Sequence, residues 1–477
     1  MISFILCLIA LVVGYMVYGK FVDKVFGSDE SRVTPAVSKA DGIDFIAMPS
    51  WKVFMIQFLN IAGTGPIFGA IMGAKFGPSS YLWIVLGCIF AGAVHDYLVG
   101  MLSLRNGGAS LPELIGKYLG KTSRGMMLVF SVLLLLLVGT VFVYSPAEIL
   151  KSLAGDGSDA SFMLWVAIIF IYYIVATMLP IDKIIGKIYP LFAGALLFMA
   201  AGLMVCLFVK WPALPEIWDG LANRNAAAPL FPCLFITIAC GAISGFHATQ
   251  SPLMARCLKN EKLGRPVFYG SMITEGLVAL VWAAVASWFF YSGGAAETGG
   301  EASSSAPRIV ELVSGNWLGV VGGILAVMGV VAAPITSGDT AFRSARLIIA
   351  DAMHYEQRPI RNRLAISVPL FALAGLLLWF NFSDKNGFEN IWGYFGWANQ
   401  TLAAISLWAA TAYFASAKKG TYYLLTLLPA CFMTAVCLTY LFVAKLPLLP
   451  AGYAGIAGLA VFTVSIAAFF VLKPRRS

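Results

Sequence analysis

Apolar positions in this chain run in long blocks and do not alternate with polar ones. Thirteen blocks of about 20 residues, the length of a helix that crosses a bilayer, fall near 2–19, 53–74, 80–103, 126–147, 162–180, 188–209, 231–250, 267–291, 316–338, 364–380, 391–416, 421–444 and 451–472. Blocks of this kind predict an all-α polytopic membrane protein of about 13 transmembrane helices. Two blocks are not uniformly apolar. The second holds LNIAGTGPIFGAIMG at 59–73, and the seventh holds ACGAISGFHATQSP at 239–252. Glycine, proline and hydroxyl residues at the centre of a lipid-spanning segment predict an interrupted helix.

An interruption frees backbone N–H and C=O groups, which lipid cannot satisfy. It is tolerated where protein, ions or substrate supply the partners. The second and seventh blocks are an odd number of crossings apart, so they run in opposite directions. That is the pattern of an inverted repeat, 53–209 against 231–416. The block 2–19 precedes the repeat and 421–472 follows it, all in a single membrane domain, 1–477. Two breaks at matching depth build one substrate site, drawn from Asn60, Gly63, Thr64 and Gly65 on one side and Ser244, Gly245 and His247 on the other. No lysine or arginine lies in the middle of either block, so an anionic substrate would be held by freed N–H groups and the Thr64 hydroxyl. Gly65→Leu is expected to fold yet lose substrate, and Gly73→Ala to do much less.

Composition agrees with this reading. Of 477 residues, 60% are hydrophobic and 12% charged, and the mean hydropathy is +0.85. A soluble protein of this size could not bury so much apolar surface. The net charge of +9 reflects orientation and does not imply a nucleic-acid partner. About 25 of the 32 lysines and arginines fall in the loops that follow odd-numbered blocks or in the C-terminal tail. The positive-inside rule then places the N-terminus outside and the C-terminus in the cytoplasm of a bacterial inner membrane. The first block has no basic flank before it and no small-residue cleavage site, so it reads as a retained span. The stretch 291–311 is rich in glycine, serine and alanine and reads as a flexible connector. The eight cysteines form no CxxC pair and read as small buried apolar residues. There is no phosphate-binding loop and no HExxH or GxSxG motif, which argues against an enzyme and against a bound cofactor. Oligomeric state is left open.

Ionisable residues inside apolar blocks are expensive and point to function. His247 lies in the seventh-block break and is a candidate for a coupling proton or a substrate contact. Glu275 lies within the eighth block. Asp96 is close in sequence to Arg105, which suggests an ion pair at a gate. Asp339 and Arg343 share one helical face at i,i+4, and Thr336, Ser337 and Thr340 beside them offer hydroxyl oxygens to a cation. Asn399 and Gln400 read as interhelical hydrogen-bonding residues.

The segments IAGTGPIFGAIMGAKFG, LGCIFAGAVHDYLVGMLSLRNGGASLPELI, CGAISGFHATQSP, SGDTAFRSAR and GWANQTLAAISL resemble, in order, those of the carbon starvation protein A (CstA) family, from about residue 42 to 407. The family is grouped with the amino acid–polyamine–organocation superfamily. The resemblance implies a LeuT-like 5+5 inverted repeat and a transporter of peptides, induced in starvation, or of pyruvate with protons. It also implies a sodium site as the alternative, between carbonyls near Ala62 and the hydroxyls of Thr336, Ser337 or Thr340. The expectation is a symporter importing a small carboxylate-bearing nutrient, with the proton as coupling ion and His247, Glu275 or Asp339 carrying it. A sodium-coupled carrier of amino or organic acids, a membrane nutrient sensor and a channel are the rival readings.

Overall fold

The computed structural model describes residues 1–154, 158–179, 185–383, 387–417 and 420–472. Of the basic residues counted above, Lys183, Lys385, Lys418, Lys419, Lys473, Arg475 and Arg476 lie outside the described residues. Among those described, the chain is helical, with no strand. The principal helices are α1 (Ile2–Phe26), α2 (Ser50–Ala62), α3 (Gly65–Ala74), α4 (Ser79–Arg105), α5 (Lys121–Lys151), α6 (Asp159–Met178), α7 (Tyr189–Lys210), α8 (Leu230–Thr237), α9 (Gly245–Ala255), α10 (Glu261–Tyr291), α11 (Gly322–Met353), α12 (Ile360–Phe380), α13 (Gly387–Ser416), α14 (Leu424–Lys445) and α15 (Ala451–Leu472).

Ten of these are long and apolar enough to cross a membrane, and the bent pair α2–α3 makes an eleventh. The difference from thirteen has a local cause. Helices α8 and α9 have 8 and 11 residues, too short singly to span a bilayer. Helix α13 is long enough, but polar residues such as Asn399 and Gln400 dilute its apolar character. The connector at 291–311 is not structureless: a short helix, Gly294–Thr298, lies in it.

Burial sorts the helices. Helices α4 and α10 are enclosed by neighbours, whereas α15 turns Ile456, Leu459, Val464 and Val471 outward. In lipid such exposure carries no hydrophobic penalty, and the helix meets its backbone hydrogen bonds internally.

Both interrupted segments are present. Helices α2 and α3 meet at a 52° bend. Gly63 has φ +42°, in the left-handed region that side chains avoid, and it ends α2. Pro66 has no N–H to leave unpaired. The Ile67 and Phe68 N–H groups both donate to the Thr64 carbonyl, which restarts the helix. Between α8 and α9, residues 238–244 leave the helical path, with Gly241 at φ +91°. The freed groups find side-chain partners. The Trp83 indole N–H donates to the Ile238 carbonyl at 2.9 Å, and the Gln400 amide donates to the Phe235 carbonyl at 2.9 Å.

Candidate functional site

The two interruptions touch. A Cβ on Gly65 would overlap the Cys240 side chain, one on Gly73 would overlap Ile238, and one on Gly69 would come within 2.9 Å of the Thr237 carbonyl oxygen. The glycine row of α3 therefore lets the second break lie directly against the first. This corrects the reading of Gly65→Leu as a clean binding variant. A leucine there must displace Cys240, and Gly73→Ala is also no silent control. Gly245 is similarly confined, because a Cβ would overlap the Asn399 carbonyl oxygen on α13.

The second break is held by Asn399. Its Oδ1 accepts the Phe246 N–H at 2.6 Å, and its amide lies 3.0 Å from the Ser244 hydroxyl. The N-terminus of α9 is thus capped by a residue from another helix. Across the first break, the side chains of Asn60 and Thr64 are fully buried, and neither has a hydrogen-bond partner. Unsatisfied buried polar groups are rare and costly, and here there are three such atoms, Asn60 Oδ1 and Nδ2 and Thr64 Oγ1. Phe142 is within 3.0 Å of where a Gly63 Cβ would sit, and its ring lies near those of Phe246 and Phe395. The break is flanked by aromatic faces.

The titratable residues gather on the other side of the second break. Asp96 is central: its Oδ1 lies 2.8 Å from His95 Nδ1 and its Oδ2 lies 2.8 Å from His247 Nδ1. His247 Nε2 lies 3.5 Å from Glu275 Oε2. All four side chains are fully buried. Helix α4 supplies His95 and Asp96, α9 supplies His247 and α10 supplies Glu275. The expected Asp96–Arg105 pair is therefore not formed. Arg105, more than two turns along α4, instead donates from Nε and Nη2 to the Glu261 carboxylate, each at 3.0 Å. Proximity in sequence misled here, because residues nine apart on a helix are about 13 Å apart along its axis.

Asp339 and Arg343, although on one helical face, do not pair either. Asp339 Oδ2 accepts the Tyr189 hydroxyl at 2.8 Å, and Oδ1 has no partner. Arg343 donates to the Leu179 and Ala176 carbonyls at the end of α6, a favourable place for a cation. Its carboxylate neighbour is Asp44, at 3.9 Å, which also lies 3.6 Å from Arg346. Of the three hydroxyls considered for a cation, Ser337 reaches the first break and donates to the Leu59 and Asn60 carbonyls at 3.1 and 3.2 Å. Thr336 and Thr340 bond carbonyls of their own helix. The Ala62 carbonyl has no contact with them among the described hydrogen bonds.

Sequence reasoning did not find Asp44, Tyr189 or the placement of Cys240. The signal for Asp44 was local: Asp41 Oδ1 accepts the N–H groups of Ile43, Asp44 and Phe45, an Asx-type turn that presents Asp44. Spacing along the chain gives Cys240 no ligand pattern, yet Cys240, His247 and Glu275 bring ligand atoms within 4.8 Å of one another.

Comparison with known proteins follows the same lines. The family model described as carbon starvation protein CstA matches residues 1–163, 152–314 and 302–440. An uncharacterised membrane protein of Haemophilus influenzae is 45% identical over 61% of this chain and 91% of its own length. The peptide transporter CstA of Campylobacter jejuni is 28% identical over 88% of this chain and 77% of its own. The pyruvate/proton symporter BtsT of Escherichia coli is 30% identical over 58% of this chain, and the match spans 47% of the symporter. Among solved structures, a mutant of the Eremococcus coleocola manganese transporter superposes with a TM-score of 0.56 at 10% identity, covering 90% of this chain and 97% of that one. At that identity the likeness concerns the fold alone. With the family model matching nearly the whole length, this helical, multi-pass membrane chain belongs to the CstA carbon starvation family.

Proposed function

We propose that the chain is a secondary transporter of the bacterial inner membrane that imports a small carboxylate-bearing nutrient, pyruvate or a short peptide, by proton symport as part of the response to carbon starvation. One observation carries the reading: two interrupted helices pack break against break, with the buried Asn60 and Thr64 side chains unpartnered at the junction. Such junctions are where carriers place substrate. The names of the relatives, peptide transporter and pyruvate/proton symporter, support the substrate class. A transport role needs no catalytic group and no resident cofactor.

The architecture proposed is thirteen crossings in one membrane domain. Helices α8 and α9 share one broken crossing, and α13 makes another. Residues 53–209 and 231–416 form a LeuT-like inverted repeat, with α1 before it and α14 and α15 after. The N-terminus is outside and the C-terminus cytoplasmic. In a Cys-less background, a cysteine at Ser304 is expected to react with an impermeant thiol reagent from outside, and one at Lys259 only after permeabilisation. Labelling of both from one side sinks this topology.

The proton is placed on Asp339. Among the described residues Asp339 forms no ion pair and keeps one carboxylate oxygen without a hydrogen-bond partner, whereas His247 and Glu275 lie 3.5 Å from each other. The groups around it are Tyr189 on α7, Tyr172 and Tyr173 on α6, and Arg343 and Arg346 on its own helix. Ser337, one turn fraction earlier on α11, touches the broken helix, so a proton at 339 and a substrate at the break share one element. Sodium is the second reading, and the Ser337 contact with the Leu59 and Asn60 carbonyls favours it. Proteoliposome uptake of pyruvate, amino acids and dipeptides, with proton and sodium gradients imposed separately, separates the two. Uptake driven by external acid alone is expected. Dependence on sodium that Ser337→Ala abolishes would select the second reading, and no uptake under either gradient removes the function proposed.

A further inference from the structure

We propose that Cys240, His247 and Glu275 form a binding site for one thiophilic divalent metal ion of the zinc class. The three residues come from the second break, the first turn of α9 and the middle of α10. Their ligand atoms lie within 4.8 Å of one another. All three side chains are buried, Cys240 at 5% exposure and the other two at 0%.

Two further observations point to an ion there. The first is unmet capacity: His247 Nε2 and both Glu275 oxygens lack a hydrogen-bond partner. The Nε2–Oε2 separation of 3.5 Å is long for a hydrogen bond. It suits two ligands bound to one tetrahedral ion, whose bonds of about 2.0–2.2 Å place such atoms roughly 3.3–3.6 Å apart. The second is orientation. Asp96 Oδ2 lies 2.8 Å from His247 Nδ1, so the carboxylate accepts a hydrogen bond from Nδ1–H and leaves the Nε2 lone pair facing Glu275. A carboxylate behind the histidine is the usual support of a metal-bound imidazole. Asp96 is in turn held by His95.

Charge favours the same conclusion. Asp96 and Glu275 are two buried carboxylates whose described ion pairs are with histidines alone. A divalent cation offsets charge that is otherwise expensive to bury. The donor set selects the ion: thiolate with imidazole suits zinc, whereas magnesium and manganese prefer oxygen ligands. Three protein ligands leave a fourth position to water. Because Cys240 lies within the interruption and His247 just after it, a bound ion would fasten the second break to α10. This site is separate from Asp339, so its failure leaves the proposed proton symport standing, and failure of symport leaves the metal site standing.

The test uses the full chain purified in detergent after chelator treatment and dialysis. One equivalent of zinc is expected to bind in calorimetry, and millimolar magnesium or manganese is expected not to displace it. Cobalt(II) as a spectroscopic probe should give a thiolate-to-cobalt charge-transfer band with tetrahedral d–d absorption, both reversed by chelator. Cys240→Ser should abolish the charge-transfer band, and Glu275→Gln should weaken zinc binding. Asp96→Asn, which leaves the ligands in place, should weaken zinc binding by roughly 10–100-fold. Melting and size-exclusion profiles check that each variant folds. A wild-type protein with no thiolate band, or with no stoichiometric zinc, overturns the proposal whether or not the variants fold. A band that persists in folded Cys240→Ser overturns it too, since another of the buried cysteines must then be the ligand.

Discussion

Asp339→Asn is expected to abolish accumulation against a gradient while sparing substrate exchange. With one proton carried per monocarboxylate, the cycle is electroneutral and a pH step drives it. One pH unit stores about 1.4 kcal/mol per proton, which corresponds to roughly tenfold accumulation of substrate inside. In wild-type proteoliposomes, an exterior one unit more acid should therefore give an inside-to-outside ratio near ten, and an imposed membrane potential should change it little. In Asp339→Asn the ratio should fall to about one. The asparagine keeps the shape of the carboxylic acid and can still accept the Tyr189 hydroxyl, so loss of fold is not the expected cause.

The sign follows from the location of the proton. Protonated Asp339 accompanies substrate inward, and the empty carrier returns after releasing the proton to the cytoplasm. Acid outside promotes loading, and acid inside slows release. Exchange of labelled for unlabelled substrate needs no net proton movement, so Asp339→Asn should still exchange at a rate near that of the wild type. An unchanged pH-driven ratio in this variant removes Asp339 from the coupling role. Loss of both exchange and accumulation would instead make it part of the substrate site.

The two breaks were legible in the sequence because glycine and proline in an apolar block have few other uses. Gly63 and Pro66, and later Gly241, stand where the chain departs from the helix. What could not be read was partnership across the fold. The i,i+4 spacing of Asp339 and Arg343 puts them on one face, but a nearby helix end and a tyrosine outbid that pairing. Carbonyls at the end of α6 took the guanidinium, and Tyr189 took the carboxylate. Likewise, the spacing of Asp96 and Arg105 says nothing about Glu261, which stands at the start of α10. Ligand groups are hidden for the same reason. Cys240, His247 and Glu275 have no regular spacing, and it is the packing of α10 against the second break that joins them. Glycine substitutions failed as clean probes because the close approach of the breaks, which those glycines permit, is itself a contact between distant segments.

Asn399→Leu is expected to damage both stability and substrate affinity, although Asn399 lies 155 residues from Ser244 at the end of the nearer break. The leucine fills a similar volume but returns nothing to the Phe246 N–H or the Ser244 hydroxyl. Both groups are buried, and each one left unpaired costs about 1–3 kcal/mol. The N-terminus of α9 would lose its cap, and with it the fixed path of the second break. Ser244→Ala is the milder partner variant, because Asn399 then still accepts the Phe246 N–H, so its cost should be about 1 kcal/mol. If the two residues act as one unit, the double variant should be no worse than Asn399→Leu alone, a departure from additivity of roughly 0.5–3 kcal/mol. The readouts are the melting transition of purified protein and the half-saturating concentration of whichever substrate is transported. Asn399→Leu should lower the first and raise the second by about tenfold, since 1.4 kcal/mol lost from binding is a tenfold change. A loss of stability with wild-type affinity would make Asn399 a packing residue only. Wild-type values for both would mean that the second break is held by Trp83 and Gln400 without it.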